Sequence, residues 1–367
     1  MAQRDLYIDR LRTVMTAFVV LHHTAITYGA IGGWFWHEIQ PSRTLSSILL
    51  VLFCTTNQAY FMGFFFLLAG YFTPSSLDRK GYGKFILDRF VRLGIPTLAF
   101  GLILGPLTAA MVNAAQGDGF WPTFAWYWRH KQFNPGPLWF AEALLIFSLW
   151  YVLVRRIAGP QLGNPGSTPA ESPVPRWSAW LFGAMIVGAA ALALRQVFPI
   201  GTSLYGYWAS YIFLFVVGLR ARPRNWLAQL TWKQARPWVI VALLAWPTLP
   251  LGWLLSRGNA NFNTGFSWAA FLYAFWEPFV AWGLIAAWLL VFRERMNQPS
   301  PIWDWLGRRA YAVYILHPPV LVGLGLLLHG WAAPALVKFG VVGALACATT
   351  WLLADPLVRL PGVRRVV

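Results

Sequence analysis

Charged residues are scarce in this sequence, and acidic residues are the scarcest of them. Of 367 residues only 11% are Asp, Glu, Lys or Arg, and only 12 are Asp or Glu, whereas a soluble domain carries about 25% charged residues. This scarcity excludes an ordinary cytosolic enzyme, and the 58% share of hydrophobic residues excludes a disordered chain. The two cysteines, Cys54 and Cys347, lie inside apolar runs, so they indicate no disulfide framework.

Long apolar runs take the place of the missing charge. A transmembrane helix needs about 20 mostly apolar residues, and ten stretches meet that need, at roughly 8–29, 45–73, 93–115, 137–156, 177–197, 204–221, 237–256, 266–292, 309–329 and 332–354. We therefore predict an all-α polytopic membrane protein with about ten transmembrane helices, built as a single membrane domain over residues 1–367. The loop 157–175, rich in Pro and Gly, is predicted to be a flexible cytoplasmic connector.

The basic residues indicate how the chain crosses the membrane. A net charge of +17 would suit a nucleic-acid-binding protein only if those residues shared a water-exposed surface. Instead they cluster in alternate loops, and all but six of the 29 Lys and Arg fall on one face, the exceptions being Arg43, Arg129, Lys131, Arg195, Arg257 and Lys338. Since cytoplasmic loops carry the excess of Lys and Arg, we predict that this face and both termini are cytoplasmic, with no nucleic acid as partner.

Ionisable residues inside the predicted spans are candidates for function, because they are costly in lipid. The first span carries Arg12 near its cytoplasmic start and His22 and His23 deep inside. Arg12 and His23 are eleven residues apart, so they share one helix face at a separation of about 16 Å. An imidazole at this depth could serve as a general base, and it could equally do no more than hydrogen-bond a neighbouring helix.

Two acids also lie well inside spans. Glu142 follows the segment Pro137-Leu138-Trp139-Phe140-Ala141 at a depth comparable with that of His23. A carboxylate at that level could orient and charge-stabilise the imidazole, as a third group does for many catalytic bases. Glu277 is deeper, and it could belong to a functional path, be protonated, or be paired with an arginine.

Two further segments suggest a binding site. Arg89 and Arg92 lie three residues apart and share a helix face, a spacing that suits a phosphate-rich ligand; gripping lipid headgroups is the other explanation. His317 precedes two prolines, Pro318 and Pro319, which interrupt helical hydrogen bonding and so indicate a site nearby. No metal-ligand spacing, phosphate-binding loop or serine-nucleophile elbow occurs.

These segments together resemble the acyltransferase type 3 family of membrane proteins. The similarity runs along nearly the whole chain, through Asp9-Arg10-Leu11-Arg12 with His23, Phe64-Phe65-Phe66-Leu67-Leu68-Ala69-Gly70-Tyr71-Phe72, Arg89 and Arg92 before Pro96, Gly136-Pro137-Leu138-Trp139-Phe140 with Glu142, Tyr211-Ile212-Phe213-Leu214-Phe215-Val216-Val217-Gly218, Ala312-Val313-Tyr314-Ile315-Leu316-His317-Pro318, and Asp355-Pro356. Locally, the sequence most resembles the glucan-succinylating branch of the family.

The resemblance implies an O-acyltransferase of ten spans in a plasma membrane, most simply a bacterial one. Such a protein takes an acetyl, succinyl or similar group from cytoplasmic acyl-CoA and transfers it to a hydroxyl of a glycan, lipid or other envelope acceptor. His23 would be the catalytic histidine, assisted by Arg12 and Glu142. Arg89 and Arg92 would bind the donor's phosphates, with His317 near the donor; no metal is implied.

Two other functions fit the same residues. In a transporter of a polar or lipid-linked substrate, Glu142, Glu277 and the histidines would form a proton or substrate path. In a non-catalytic scaffold, the fold would bind acyl-CoA without transferring the acyl group. The presence of Arg12, His23, Arg89 and Arg92 together argues against the scaffold, because a degenerate member should have lost some of them.

Overall fold

A computed structural model describes residues 5–159, 172–200, 204–256 and 259–366 of the protein. Over these ranges the chain forms helices and loops and no strand, which confirms the all-α prediction. In chain order the helices are α1 Leu6–Thr27, α2 Leu45–Lys80, α3 Tyr82–Gln116, α4 Phe120–Arg129, α5 Trp139–Ala158, α6 Trp177–Val197, α7 Trp208–Ala221, α8 Trp226–Gln229, α9 Trp232–Ala245, α10 Thr248–Leu255, α11 Trp268–Arg295, α12 Pro301–Leu327 and α13 Ala335–Arg359.

Each predicted span coincides with a helical segment, and most are long enough to cross a membrane. In the described part of the chain, eight segments combine the required length and hydropathy, all except those at α1 and α7. Helix α1 carries Asp9, Arg10 and Arg12, and α7 has 14 residues after a short 3₁₀ turn. The chain is thus a multi-pass membrane protein, while the count of ten and the cytoplasmic termini stay predictions. Most of the predicted connector 157–175, and Arg257, lie outside the described residues.

The helices fall into two compact units, neither of which is a continuous half of the chain. The first comprises Met1–Leu11, Thr55–Gly81 and Trp150–Gln298. Within it α11 packs against α6 and α9. Helices α2 and α7 cross at Gly70 and Gly218, where a Cβ on either glycine would overlap backbone atoms of the other helix. Small residues permit such close crossings between membrane helices.

The second unit comprises Arg12–Cys54, Tyr82–Leu149 and Pro299–Val367. Here α12 packs against α13 and α3. The C-terminal part of α1 joins them through a buried apolar cluster that includes Val20 on α1 and Val313 on α12. Because this cluster holds α1 beside α12, it brings the histidine-bearing segments of the two helices together.

Helix α3 starts earlier than the predicted span and is locally widened. It begins at Tyr82 rather than near residue 93, so Arg89 and Arg92 lie on the helix itself. The first of its two π-helical turns spans Phe90–Gly94. Pro96 cannot donate to the carbonyl of Arg92, four residues earlier. That carbonyl accepts a hydrogen bond from the Tyr311 hydroxyl on α12 instead, at 2.6 Å. Such widened turns are frequent at functional sites.

Candidate active site

Two histidines from distant parts of the sequence meet in the second unit. The Nδ1 atom of His23, on the penultimate turn of α1, lies 3.0 Å from the Nε2 atom of His317 on α12. The two ring planes are within 14° of each other and their centroids are 5.1 Å apart. At that nitrogen separation the rings meet edge to edge, which is the geometry of an in-plane hydrogen bond.

The backbone of α12 determines which nitrogen of His317 carries the proton. Pro318 has no N–H, so the carbonyl of Tyr314 lacks the donor that a regular helix would supply. The Nδ1 atom of His317 lies 2.7 Å from that carbonyl oxygen. A carbonyl only accepts, so we assign the proton of neutral His317 to Nδ1, which leaves Nε2 as an acceptor.

This assignment fixes the state of His23 in turn. Because Nε2 of His317 accepts, Nδ1 of His23 must donate, and the lone pair of neutral His23 is then on its Nε2 atom. His317 is completely buried, whereas His23 is only partly buried. Neutral His23 would then have a fixed tautomer and an unprotonated nitrogen, as a general base or a nucleophile requires.

An indole ring covers one face of this imidazole. Trp34, in the loop between α1 and α2, stacks on His23 with centroids 4.0 Å apart and planes within 13°. The loop is held to α1 by the amides of Glu38 and Ile39, which donate to the carbonyl of Thr27 at 2.9 and 3.1 Å. It is held to α13 by a buried ion pair between Glu38 and Lys338.

The C-terminal end of the loop that precedes α5 also contacts this site. The Tyr314 hydroxyl donates to the carbonyl of Pro137. Gly136 has a φ of 48°, and a Cβ there would lie 2.6 Å from Cε1 of Phe100 and 3.5 Å from Cζ of Phe35, the neighbour of Trp34. The Gly136-Pro137 segment therefore packs beside the Trp34 loop because position 136 has no side chain.

Three arginines form a separate basic cluster in the same unit. The guanidinium of Arg89 lies within electrostatic range of those of Arg92 and Arg12, which places α1 near α3 here. Asp88 forms an ion pair with Arg92 at 3.2 Å. The Arg89 guanidinium lies 4.7 Å above the ring of Phe85, and its Nε atom has no hydrogen-bond partner in the described residues.

The structure brings some predicted site residues together and not others. Arg12 shares a helix with His23, but it belongs to the arginine cluster three turns away. Glu142 lies in the first turn of α5 with its side chain exposed. Among the described residues no hydrogen bond or ion pair joins it to His23, which is hydrogen-bonded to His317. Whether Glu142 takes part in catalysis stays a prediction.

The sequence pattern placed His317 at the donor site and gave no sign of its neighbour Trp34. It is His317, rather than Glu142, that touches His23, and it is His23, rather than His22, that makes this contact. Nothing in the sequence distinguished Trp34 as a site residue, because it is one of 23 tryptophans. The adjacency of His317 and Pro318 did carry one, since a proline frees the carbonyl four residues before it.

Glu277 lies in the first unit and is engaged elsewhere. Its carboxylate forms a buried ion pair with Arg195, whose guanidinium also lies 4.8 Å from the ring centre of Tyr273. Of the alternatives considered for Glu277, the structure shows pairing with an arginine. A buried pair of this kind is costly to break, because either partner alone would be an uncompensated charge.

Comparison with known proteins identifies the family. A family model described as an acyltransferase domain matches residues 5–355, nearly the whole chain. Neither the search of curated proteins nor that of solved structures gives a match. The chain therefore belongs to the acyltransferase type 3 family, as its sequence motifs indicated, and the family match lends no support to the transporter alternative.

Proposed function

We propose that this membrane acyltransferase moves an acyl group from cytoplasmic acyl-CoA to a hydroxyl of a glycan, lipid or other envelope acceptor. Acetyl and succinyl are the groups we favour. The observation that carries the proposal is the hydrogen-bonded chain from His23 through His317 to the carbonyl of Tyr314. It leaves an unprotonated Nε2 on a partly exposed imidazole inside the protein.

The proposed step is a direct displacement assisted by His23. The acceptor's O–H bond breaks as its proton moves to Nε2, and the oxygen attacks the thioester carbonyl. A C–O bond forms, the C–S bond breaks, and the departing thiolate takes the proton back from Nε2. Neutral His23 is thereby restored. If the acyl group passes through His23 itself, the same lone pair is the nucleophile.

The arginine cluster would bind the donor. Acyl-CoA carries several phosphates, and guanidiniums bind phosphate oxygens through charge-assisted hydrogen bonds. Arg89 and Arg92, with Arg12, supply three such groups on the side of the membrane that we predict to be cytoplasmic. The roughly three helical turns between Arg12 and His23 correspond to about 16 Å, a span that the extended pantetheine arm would have to cover.

The cell surface would be the place where the product accumulates. A cytoplasmic donor and an envelope acceptor require a protein that spans the membrane between them, and the long apolar helices meet that need. We place the protein in a plasma membrane, in a bacterium the inner one. Membrane lipids would then be its surroundings, and acyl-CoA and the acceptor its substrates.

Mass spectrometry of cell envelopes tests the proposal. Glycans and lipids are compared between cells that produce the wild type, His23→Ala or His130→Ala. His130 is the control, because its ring is hydrogen-bonded to the carbonyl of Trp126 on α4. We expect an added acyl mass with the wild type and with His130→Ala, and a loss of about 10²- to 10⁴-fold with His23→Ala at equal membrane abundance. An undiminished acyl mass with His23→Ala would contradict the proposal.

A labelling experiment separates the two chemical routes. Purified protein is incubated with radiolabelled acetyl-CoA or succinyl-CoA in the absence of acceptor. Label that stays on the wild type, is absent from His23→Ala and is released by hydroxylamine indicates an acyl-imidazole. Protein that transfers acyl groups but never carries label indicates the direct displacement.

A further inference from the structure

In the part of the chain that the structure describes, the surroundings of His23 lack the negative charge that usually accompanies a catalytic histidine. In a Ser-His-Asp triad, a carboxylate stabilises the imidazolium that forms when histidine takes up a proton. The titratable groups that interact with His23 are His317 on α12 and His22 on α1, and no carboxylate among the described residues is one of them. A proton on Nε2 would therefore create a positive charge beside two neutral imidazoles.

The indole of Trp34 is placed where it can offset that charge. We propose that the π face of Trp34 stabilises the His23 imidazolium during acyl transfer, in the role that a carboxylate fills in other enzymes. This inference rests on the proposed function, since it concerns the charge that the proposed proton transfer generates. Trp34 acts through His23 and needs no contact with either substrate.

The geometry meets the requirements of a cation–π interaction. Such contacts need the cation within about 6 Å of the ring centroid, and tryptophan is the strongest aromatic partner. The centroids of His23 and Trp34 are 4.0 Å apart with planes 13° from parallel. A parallel stack leaves the in-plane Nε2 lone pair uncovered, so Trp34 can stabilise the charge without blocking the proton's path.

The position of Trp34 also depends on ring contacts rather than on a hydrogen bond of its own. Its indole N–H has no partner among the described residues. Phe35 packs against it edge-on at 5.4 Å, and His317 lies at 5.9 Å with its plane only 8° away. Because the buried pair of Glu38 and Lys338 anchors the loop, the indole is held in place before any proton moves.

Fluorinated tryptophans at position 34 test this inference without changing the shape of the side chain. Each fluorine weakens the negative face of the ring, and therefore the attraction for a cation. Mono-, di- and trifluorotryptophan are introduced at position 34 alone by stop-codon suppression. Initial rates of label transfer from acetyl-CoA or succinyl-CoA, whichever the wild type uses, are measured in membranes. We expect the logarithm of the rate to fall in proportion to fluorination, by about tenfold over the series.

Trp36 provides a matched control in the same loop. Its ring packs edge-on against His329 at 5.6 Å and does not stack on His23. The same series at position 36 should leave the rate unchanged. With fluorination at position 34 the acidic limb of the pH–rate profile should also move to lower pH, because a less stabilised imidazolium releases its proton more readily. The inference would be overturned if fluorination at position 34 left the rate unchanged, or if it lowered the rate equally at positions 34 and 36.

The result is distinguishable from a failure of the proposed function. If His23→Ala transfers acyl groups at the wild-type rate, the general-base proposal fails and the Trp34 inference fails with it. If His23→Ala is inactive while the fluorinated series at position 34 is flat, only the inference about Trp34 fails. Size-exclusion chromatography in detergent establishes that each variant compared is folded.

Discussion

The Nδ1 atom of His317 donates to the carbonyl of Tyr314 at 2.7 Å, and Pro318 is the reason that this carbonyl is free. Orientation of the His23–His317 pair thus comes from a helix backbone rather than from a carboxylate. A backbone carbonyl carries no net charge and does not titrate. The tautomer of the pair should therefore be insensitive to the protonation of nearby acids.

Replacing His317 tests its role as the acceptor for His23. His317→Ala removes the acceptor of the His23 Nδ1–H, and we expect acyl transfer to fall about 10- to 100-fold. His317→Gln supplies a side-chain carbonyl that can accept the same hydrogen bond, so it should keep more activity than His317→Ala. Initial rates with radiolabelled acyl-CoA, normalised to protein in the membrane, provide the measurement. Full activity in His317→Ala would count against the relay.

Replacing Pro318 tests the source of the tautomer. Pro318→Ala restores an N–H that competes with His317 for the carbonyl of Tyr314, so both tautomers of His317 become accessible. We expect the rate to fall by about two- to tenfold. Pro319→Ala is the matched control, because its restored N–H would serve the carbonyl of Ile315, outside the relay. Equal rates for the two proline variants would mean that Pro318 has no special influence on His317.

A donor without phosphates tests whether the arginine cluster binds the phosphates of acyl-CoA. Arg89→Gln removes a guanidinium that we propose for the donor's phosphates, and a lost charge-assisted hydrogen bond should raise KM for acyl-CoA about 10- to 100-fold. KM for acyl-pantetheine, which has no phosphates, should not change. Arg308→Gln is the control, since this exposed side chain bonds the carbonyl of Asp304. If KM rises equally for both donors, or for neither, Arg89 does not bind the donor's phosphates. The result would then favour the explanation that Arg89 binds lipid headgroups.

The ion pair of the first unit should matter for stability. Glu277→Ala leaves Arg195, which is 1% exposed, as an unpaired buried cation, and the free energy of unfolding should fall by about 3–5 kcal/mol. The double variant Arg195→Met with Glu277→Leu removes both charges and should recover most of that loss. Thermal unfolding in detergent, followed by tryptophan fluorescence, measures the difference. A double variant no more stable than Glu277→Ala would show that unpaired charge is not the cause.

Much of the fold could be predicted because its signals are local. Apolar runs of about 20 residues indicate membrane helices wherever they occur, and they located a helix at each predicted span. Boundaries were less well predicted, as at the start of α3. There the charged segment around Arg89 continues the helix, and a widened turn before Pro96 accommodates the proline.

The candidate site, too, could be predicted where its residues share a helix and not where they come from different segments. Residues on one helix follow from spacing, so Arg12 and His23 could be placed on one face from the sequence. His23 and His317 are 294 positions apart, and no periodicity relates them. The same holds for Trp34, which lies in a loop, and for the convergence of Arg12 with Arg89.

The sequence by itself determined that this protein is a helical, multi-pass membrane protein with acyltransferase motifs, because composition, run length and short motifs are properties of contiguous residues. It also contained the His-Pro pair that frees a carbonyl for His317. Only the tertiary structure decided that His317, and not Glu142, is the partner of His23, and that Trp34 covers its face. Contacts between helices depend on how their faces pack in three dimensions, and a single sequence does not encode that packing in any local pattern.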